Sequence, residues 1–193
     1  MTERKPGRPR TKQCDISAEN IISKAIDILD EKGIEQLSMR LIAKEMSITP
    51  MAIYHYFTDK KTLIKAIANT LYQDINIAGA EEYRSKIEYL LLSYREMITR
   101  YPQITLVIFS DHTLFPEQAT RITETLIHLL TELGLPAMQA TQYAHMLIDY
   151  THGEALAAAN LKHGEKVIYD QTRKNYTCTL KMLLNNMISA IQT

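Results

Sequence analysis

The sequence predicts an all-α protein in which a small helix-turn-helix bundle precedes a larger helical region. Apolar residues recur at intervals of three and four along most of the chain, and proline or glycine separates the periodic stretches. The apolar content of 46% is normal for a globular protein with a real core. One apolar run, residues 103–113, could form a strand by itself, but no partner strand is evident. We therefore expect a short buried helix there.

Composition and charge limit the function classes. No apolar run is long enough to span a membrane, and the basic N-terminus lacks the apolar segment of a signal peptide. Cys14 and Cys178 fit no metal-binding spacing and suit a reducing compartment, so we expect a cytoplasmic protein. The formal net charge is zero, but residues 1–65 hold 12 Lys and Arg against 9 Asp and Glu. This local excess indicates an anionic partner near the N-terminus.

Residues 1–14 have no apolar periodicity, and we predict a disordered basic arm. Arg8 and Arg10 alternate with proline and glycine in the run KPGRPR. An extended cationic segment of this kind suits the narrow minor groove of A·T-rich DNA. The alternative is a merely solvated basic tail, and the sequence leaves the two about even.

The first helix is predicted over residues 17–33. Ser17 is a good N-cap and Gly33 a good terminator. The apolar spacing predicts a buried stripe of Ile22, Ala25, Ile26 and Leu29.

Residues 38–57 are predicted to form two short helices joined by a tight turn. Ser38 caps the first, and Thr49 followed by Pro50 begins the second. The inward residues are Met39, Ile42, Ala43 and Met46 of the first helix and Ile53 and Phe57 of the second. This pattern leaves an aromatic outer face, which is typical of a helix in a DNA major groove. The residues left on that face are Pro50, Met51, Ala52, Tyr54, His55 and Tyr56.

A further helix is predicted over residues 58–78, capped by Thr58 or Asp59. Lys60 lies at its start, where a lysine and free backbone N–H groups could hold a phosphate. The alternative is an ordinary solvated lysine.

The rest of the chain is predicted to form long helices. They span residues 81–101, a stretch between Pro116 and Gly134, residues 136–161 and residues 168–192. The last helix carries a wide apolar stripe that suggests a second molecule, although the helix could also be internal. The stripe comprises Leu180, Leu183, Leu184, Met187, Ile188 and Ile191.

Residues 17–64 resemble the DNA-binding domain of the TetR/AcrR family of bacterial transcriptional repressors. The resemblance rests on Gly33, Ser38-Met39-Arg40, Ile42-Ala43, the turn at residues 47–49, the run Ile53-Tyr54-His55-Tyr56-Phe57, and Lys60 followed by Leu63. Two positions depart from the family pattern. Ser47 replaces the usual turn glycine, which implies some backbone strain, and Met39 replaces a threonine, which removes a hydrogen-bond donor toward phosphate.

The resemblance implies a ligand-responsive dimeric regulator, most simply a repressor that a small organic effector releases from a palindromic operator. It implies a DNA-binding domain over residues 15–60 and an effector-binding and dimerisation domain over residues 61–193. The final two helices would form the homodimer interface. Arg40 would contact the DNA backbone or the bases. Apolar base contacts would come from Pro50, Met51 and Ala52, and phosphate contacts from Tyr54, His55, Tyr56 and Lys60.

The resemblance also places an effector pocket inside the C-terminal helices. Aromatic, Met and His side chains are the candidates for its walls, although a residue of this kind is more often ordinary core than a ligand contact. The candidates are Tyr72, Tyr94, Met97, Phe109, His112, Tyr143, Met146 and Tyr150.

Other chemistries have weaker support. His145, Asp149 and His152 share one helix face and could approach a metal, but we favour ordinary hydrogen bonding there and expect no metal or cofactor. The sequence has no G-x-S-x-G, P-loop, G-x-G-x-x-G or H-E-x-x-H motif, so we do not expect an enzyme. A constitutive architectural DNA-binding protein without an effector stays open.

Overall fold

The computed structural model describes residues 16–75, 77, 81–160 and 166–191. The predictions for the basic arm, including Arg8 and Arg10, and for the side chain of Ile191 lie outside these residues. Contacts between Cα atoms divide the chain into two compact units, residues 1–63 and residues 64–193.

Within the described ranges all regular structure is helical, as predicted. The α-helices are α1 (Ala18–Lys32), α2 (Met39–Glu45), α3 (Pro50–Tyr54), α4 (Lys60–Gln73), α5 (Tyr83–Arg100), α6 (Pro102–Ser110), α7 (Glu117–Glu132), α8 (Ala137–Ala159) and α9 (Lys166–Ile191). Short 3₁₀ turns follow α1 (Ile34–Gln36) and α6 (His112–Leu114). None of these helices is long and apolar enough to cross a membrane.

The first unit is a small bundle of α1, α2 and α3. The predicted caps are confirmed, since the Ser17 and Ser38 hydroxyls accept backbone N–H groups three residues later. Gly33 ends α1 with a φ of 76° and its N–H donates to the Leu29 carbonyl at 3.0 Å.

The buried stripe of α1 differs from the prediction. Ile21 and Ile28 are buried, whereas Ile22 and Ile26 are only half-buried; Ala25 and Leu29 are buried as expected. Apolar residues lie on two adjacent faces of α1, so their spacing alone does not show which face is buried. Packing against the rest of the bundle determines which residues are buried.

The turn between α2 and α3 is a Schellman motif built on Ser47. The Ile48 N–H donates to the Ala43 carbonyl at 2.9 Å and the Ser47 N–H to the Lys44 carbonyl at 3.1 Å. Ser47 has a φ of 56°, the left-handed conformation that normally selects glycine. The strain expected from the absence of glycine is therefore present in the backbone.

The second unit is built around α5. This helix packs on both α7 and α8, which also pack on each other, and α9 packs on α5 and α8. The apolar residues of α5 recur at helical spacing and form its buried face, which comprises Ile87, Leu90, Leu91, Tyr94, Met97 and Ile98.

Two expectations for this unit are wrong in detail. α6 is a helix as expected, but it is only partly buried, because Leu106 and Phe109 are 47% and 46% exposed. The apolar stripe of α9 is not left exposed for a second molecule, because Leu180, Leu184 and Met187 are buried within their own chain. The neighbouring α5 and α8 cover that face.

Candidate DNA-binding surface and effector cavity

The second helix of the helix-turn-helix, α3, is fixed by its start and its inner face. The Thr49 hydroxyl accepts the Ala52 N–H at 3.3 Å, and Pro50 occupies the first turn, where its missing N–H costs nothing. Ile53 and Phe57 are 0% and 5% exposed. These two anchors leave the opposite face of α3 open to solvent.

That open face carries most of the residues predicted to contact DNA. Met51 is 75% exposed, Tyr54 45% and Tyr56 41%, which is high for side chains of this size. Ala52 is half-buried, and the exposed remainder comprises Arg40, Pro50, His55 and Lys60.

The two tyrosines of this surface differ in their hydrogen bonding. The Tyr56 hydroxyl donates to the backbone carbonyl of Ile16 at 2.6 Å, and the Tyr56 ring meets the His55 ring edge-on at 5.5 Å. The Tyr54 hydroxyl makes no hydrogen bond to any described residue. The family resemblance implied phosphate contacts for both tyrosines. It could not distinguish them, because a contact with a residue forty positions away leaves no local signal in the sequence.

Lys60 begins α4, and Asp59 caps this helix as one of the two predicted candidates. The Asp59 carboxylate accepts the Thr62 N–H at 2.7 Å and the Thr62 hydroxyl at 2.9 Å. The backbone hydrogen bond from Thr62 lowers the pKa of Asp59, so the cap is ionised near neutral pH. Lys60 is the next residue along the chain and is exposed.

A cavity lies within the second unit. Its volume is about 40 Å³, which is room for about three waters. Three of the eight predicted effector residues line it, namely Tyr72, Tyr94 and Phe109. The complete lining is Tyr72, Tyr94, Ile108, Phe109, Phe115, Ala119, Ile122, Thr123, Ile148 and His152.

The other five predicted effector residues lie elsewhere. Met97 is buried but does not line the cavity, and His112 and Met146 lie outside it, closer to solvent. Tyr143 is half-buried, as is Tyr150, whose ring stacks on that of Tyr176 with centroids 5.5 Å apart.

A hydrogen bond joins two residues of the cavity wall, Tyr94 and His152. The Tyr94 hydroxyl lies 2.5 Å from Nε2 of His152, and Phe109 meets the imidazole edge-on at 4.8 Å. Burial lowers the pKa of His152 and raises the pKa of Tyr94 well above its usual value. Both groups are therefore neutral near pH 7, and the cavity presents polar groups without a charge.

The three residues considered as metal ligands, His145, Asp149 and His152, do not lie together at the cavity. His145 and Asp149 are not part of the cavity wall, whereas His152 lines it. Within the described part of the chain, no group of three His, Cys, Asp or Glu side chains is placed to hold a metal ion.

The exposed face of α9 carries an uncharged stripe. Its residues recur at alternating intervals of four and three, the spacing of a helix seam. Two of the charged residues of α9 are paired with α5, Arg173 with Glu96 at 2.8 Å and Lys181 with Glu88 at 3.8 Å. The stripe comprises Gln171, Asn175, Cys178, Met182, Asn185 and Ser189.

Comparison with known proteins agrees with both units. Residues 21–67 match the family model for bacterial regulatory proteins of the tetR family, and residues 78–185 match the model for the tetracyclin repressor-like C-terminal domain. The class D tetracycline repressor protein of Escherichia coli is 24% identical over 145 residues, which are 73% of this chain and 66% of the relative. The match thus spans just under two thirds of that relative's length.

Solved structures share the fold at low sequence identity. BioQ bound to its double-stranded DNA operator has a TM-score of 0.70 and 21% identity, with 90% of this chain and 99% of the other covered. ActR of Streptomyces coelicolor in complex with actinorhodin has a TM-score of 0.75 and 16% identity, with 92% and 97% covered. The C-terminal family model alone matches more than half of the chain, and the chain therefore belongs to the TetR family of bacterial regulatory proteins.

Proposed function

We propose that this protein is a cytoplasmic, homodimeric transcriptional repressor that binds a palindromic operator and releases it when a small organic effector binds. The observation that carries the proposal is the exposed face of α3, where Met51 and Tyr54 are held outward by the buried Ile53 and Phe57. A short helix with this geometry can enter a major groove. The structural neighbour BioQ was solved on its operator, which supports the same use of the shared fold.

The DNA contacts divide by chemistry. Phosphates accept hydrogen bonds, so Tyr54, His55 and Lys60 are suited to them. Met51 and its neighbours Pro50 and Ala52 can offer only apolar contact, for example to thymine methyl groups. Hydrogen-bonded base readout then falls to Arg40 and, in the minor groove, to Arg8 and Arg10 of the arm. Tyr56 lies on the same surface, with its hydroxyl bonded to Ile16.

The dimer would form through α8 and the uncharged stripe of α9. This stripe exposes Met182 at 53% and contains no charged residue, and charged residues are depleted at the centre of protein interfaces. A twofold dimer places its two recognition helices about 34–36 Å apart, one turn of DNA, so the operator would be palindromic.

The effector would enter the cavity between α5, α6 and α8. Phe109 and Phe115 line it and are each 46% exposed, so they form an apolar mouth. Because the cavity itself is small, a larger effector has to displace these side chains. The neutral Tyr94–His152 pair suits an uncharged molecule with an aromatic face and a hydrogen-bonding group. Release of DNA then follows from the difference between the effector's affinities for two conformers.

We also propose that the protein acts by binding and performs no catalysis. The family consists of regulatory proteins. The cavity lining includes a neutral histidine, but Cys178 lies on the exposed stripe of α9 and not beside it.

The experiment is selection of bound duplexes from a random DNA library, followed by sequencing. We expect a palindrome, and we expect Tyr54→Ala to weaken binding to it at least about tenfold, the usual effect of losing a hydrogen bond to a charged group. Tyr89→Ala is the matched control, because Tyr89 is 48% exposed on α5. Absence of any enriched sequence, or equal affinity of the Tyr54→Ala protein, would refute the proposal.

Titration of the bound complex with a library of uncharged aromatic compounds tests the regulatory part. A compound that releases the duplex from the wild-type protein, and does so less effectively after His152→Gln, supports the cavity as the effector site. A compound whose effect is unchanged by this substitution would place the effector site elsewhere.

A further inference from the structure

Tyr56 and Tyr54 lie two positions apart on the proposed DNA-binding surface and are similarly exposed. A tyrosine has one O–H donor, and phosphate oxygens only accept hydrogen bonds. The proton of Tyr56 is already donated to the Ile16 carbonyl at 2.6 Å. Tyr56 therefore cannot hold a phosphate without giving up this bond, whereas Tyr54 is free to do so.

The bond from Tyr56 joins two distant parts of the first unit. Ile16 directly precedes Ser17, the N-cap of α1, and Tyr56 follows the end of α3 by two residues. Because the carbonyl of Ile16 points at Tyr56, the peptide between residues 16 and 17 has a fixed orientation. The chain that precedes Ile16 thus starts beside the recognition helix.

We infer that Tyr56 is a positioning residue, which anchors the root of the basic arm so that Arg8 and Arg10 reach the DNA minor groove flanking each operator half-site. The inference rests on the proposed DNA-binding function. Residues 1–12 hold five basic residues and one acidic residue, the charge needed for such a contact.

The length of the arm fits this geometry. Arg10 lies six positions before Ile16, so the backbone between them can span at most about 20–22 Å. A half turn of DNA, from the major groove to the adjoining minor groove, is about 17–18 Å. An anchored root also raises the concentration of the arginines near that groove and reduces the ordering that binding requires.

A double-mutant cycle tests the inference. The probe is a duplex of about 30 base pairs, long enough for two half-sites one helical turn apart with A·T-rich flanks, and it carries the palindrome enriched by the full chain. Affinity is measured by fluorescence anisotropy. Tyr56→Phe removes only the hydroxyl, and we expect it to weaken binding by the full chain about threefold to tenfold, the usual effect of one hydrogen bond. The same substitution should change nothing in a chain without residues 1–12. Equal weakening in both backgrounds would show a direct DNA contact and overturn the inference.

Tyr54→Phe is the matched control of this cycle. Its hydroxyl is proposed to bind phosphate directly, so its effect should be the same with and without the arm. Deleting residues 1–12 should also flatten the salt dependence of the full chain by about 0.9 in log-log slope for each phosphate that the arm neutralises. An unchanged slope would show that the arm does not touch the DNA and has nothing to be positioned for.

A second measurement needs no DNA and separates this inference from the proposed function. Cys14 lies two residues before Ile16, and Cys178→Ser leaves it as the sole thiol for a nitroxide spin label. We expect Tyr56→Phe to sharpen the electron paramagnetic resonance spectrum of the label and Tyr54→Phe to leave it unchanged. Spectra that respond to neither substitution would show that the tether does not hold. If no duplex were enriched, the proposed function would fail, while the spectra would still decide whether Tyr56 anchors the arm.

Discussion

Ser47 is the only non-glycine residue with a positive φ among the described residues, and it lies in the turn of the helix-turn-helix. A comparable turn at the end of α7 has the same two hydrogen bonds, but there Gly134 takes the left-handed position with a φ of 101°. Within the described ranges, this type of turn is thus made with glycine after α7 and with serine after α2.

Replacing Ser47 with glycine should stabilise the protein by about 0.5–1 kcal/mol. An L-residue in the left-handed region costs about 1–2 kcal/mol, and the greater freedom of glycine in the unfolded chain offsets about 0.5–1 kcal/mol of that gain. Denaturant titration measures the difference. Ser47→Ala, which keeps a Cβ, should give no such gain, and a Ser47→Gly protein less stable than wild type would mean that the serine side chain has a compensating role.

His152 should make stability depend on pH. Its pKa is lowered in the folded protein because of burial, so the unfolded chain takes up the proton first. The contribution of the neutral imidazole to stability is complete above the unfolded pKa of about 6.5 and is lost as pH falls from there through the folded pKa. We expect His152→Gln to reduce the loss of stability between about pH 7.5 and pH 5, measured by urea unfolding. His145→Gln, at a position away from the cavity, should retain the full loss, and identical curves for both variants would contradict this prediction.

At the scale of the helices, a buried charge pair fixes α5, α8 and α9 together. Arg95 is completely buried, and its guanidinium donates to both carboxylate oxygens of Glu154, at 2.5 and 2.9 Å, and to the Thr172 hydroxyl at 3.1 Å. Tyr176 adds a second link, since its hydroxyl is 2.7 Å from that of Thr151. The sequence pattern gave no sign of a buried Arg95, because an arginine beside an apolar face normally extends to solvent.

Glu154→Gln should destabilise the protein by about 3 kcal/mol, since it leaves a buried guanidinium without its counter-charge. The control is Glu96→Gln, which removes the partner of Arg173 in an ion pair whose side chains are 45% and 50% exposed. That change should cost at most about 1 kcal/mol, because water screens the pair. Urea unfolding compares the two. Equal losses would mean that the buried pair contributes no more than the surface pair.

At the scale of the whole molecule, the two faces of α9 have different surroundings. Leu184 is 1% exposed and faces its own chain, whereas Met182 is 53% exposed on the uncharged stripe. The same helix therefore closes the core of its own chain and leaves its other face available to the proposed second subunit.

Leu184→Glu should disrupt folding, whereas Met182→Glu should disrupt dimerisation. A glutamate at the buried position places an unpaired charge in the core, so we expect loss of several kcal/mol and an unfolded or aggregated protein. A glutamate at the exposed position should leave a folded monomer in place of a dimer, because like charges meet across the seam. Analytical ultracentrifugation and thermal unfolding distinguish these outcomes. A Met182→Glu protein that stays dimeric would place the interface on another surface.

The sequence alone determined the helical architecture, the caps and the strained turn. These features depend on local chemistry: Ser17 and Ser38 cap helices through bonds to backbone groups three residues away. The outward face of α3 was equally readable, because Ile53 and Phe57 lie one helical turn apart. Membership of the TetR family followed from the same short-range pattern and is shown by both family models.

Only the tertiary structure decided which partners distant residues have. Packing in the folded chain buries Ile21 and Ile28 of α1 rather than the neighbouring Ile22 and Ile26, and it also buries Leu184. It also brought His152 to Tyr94 across 58 positions and Tyr56 to Ile16 across 40. The physical reason is that periodicity defines a face of a helix but not what covers that face, and a hydrogen bond between distant residues leaves no trace in the spacing of either one.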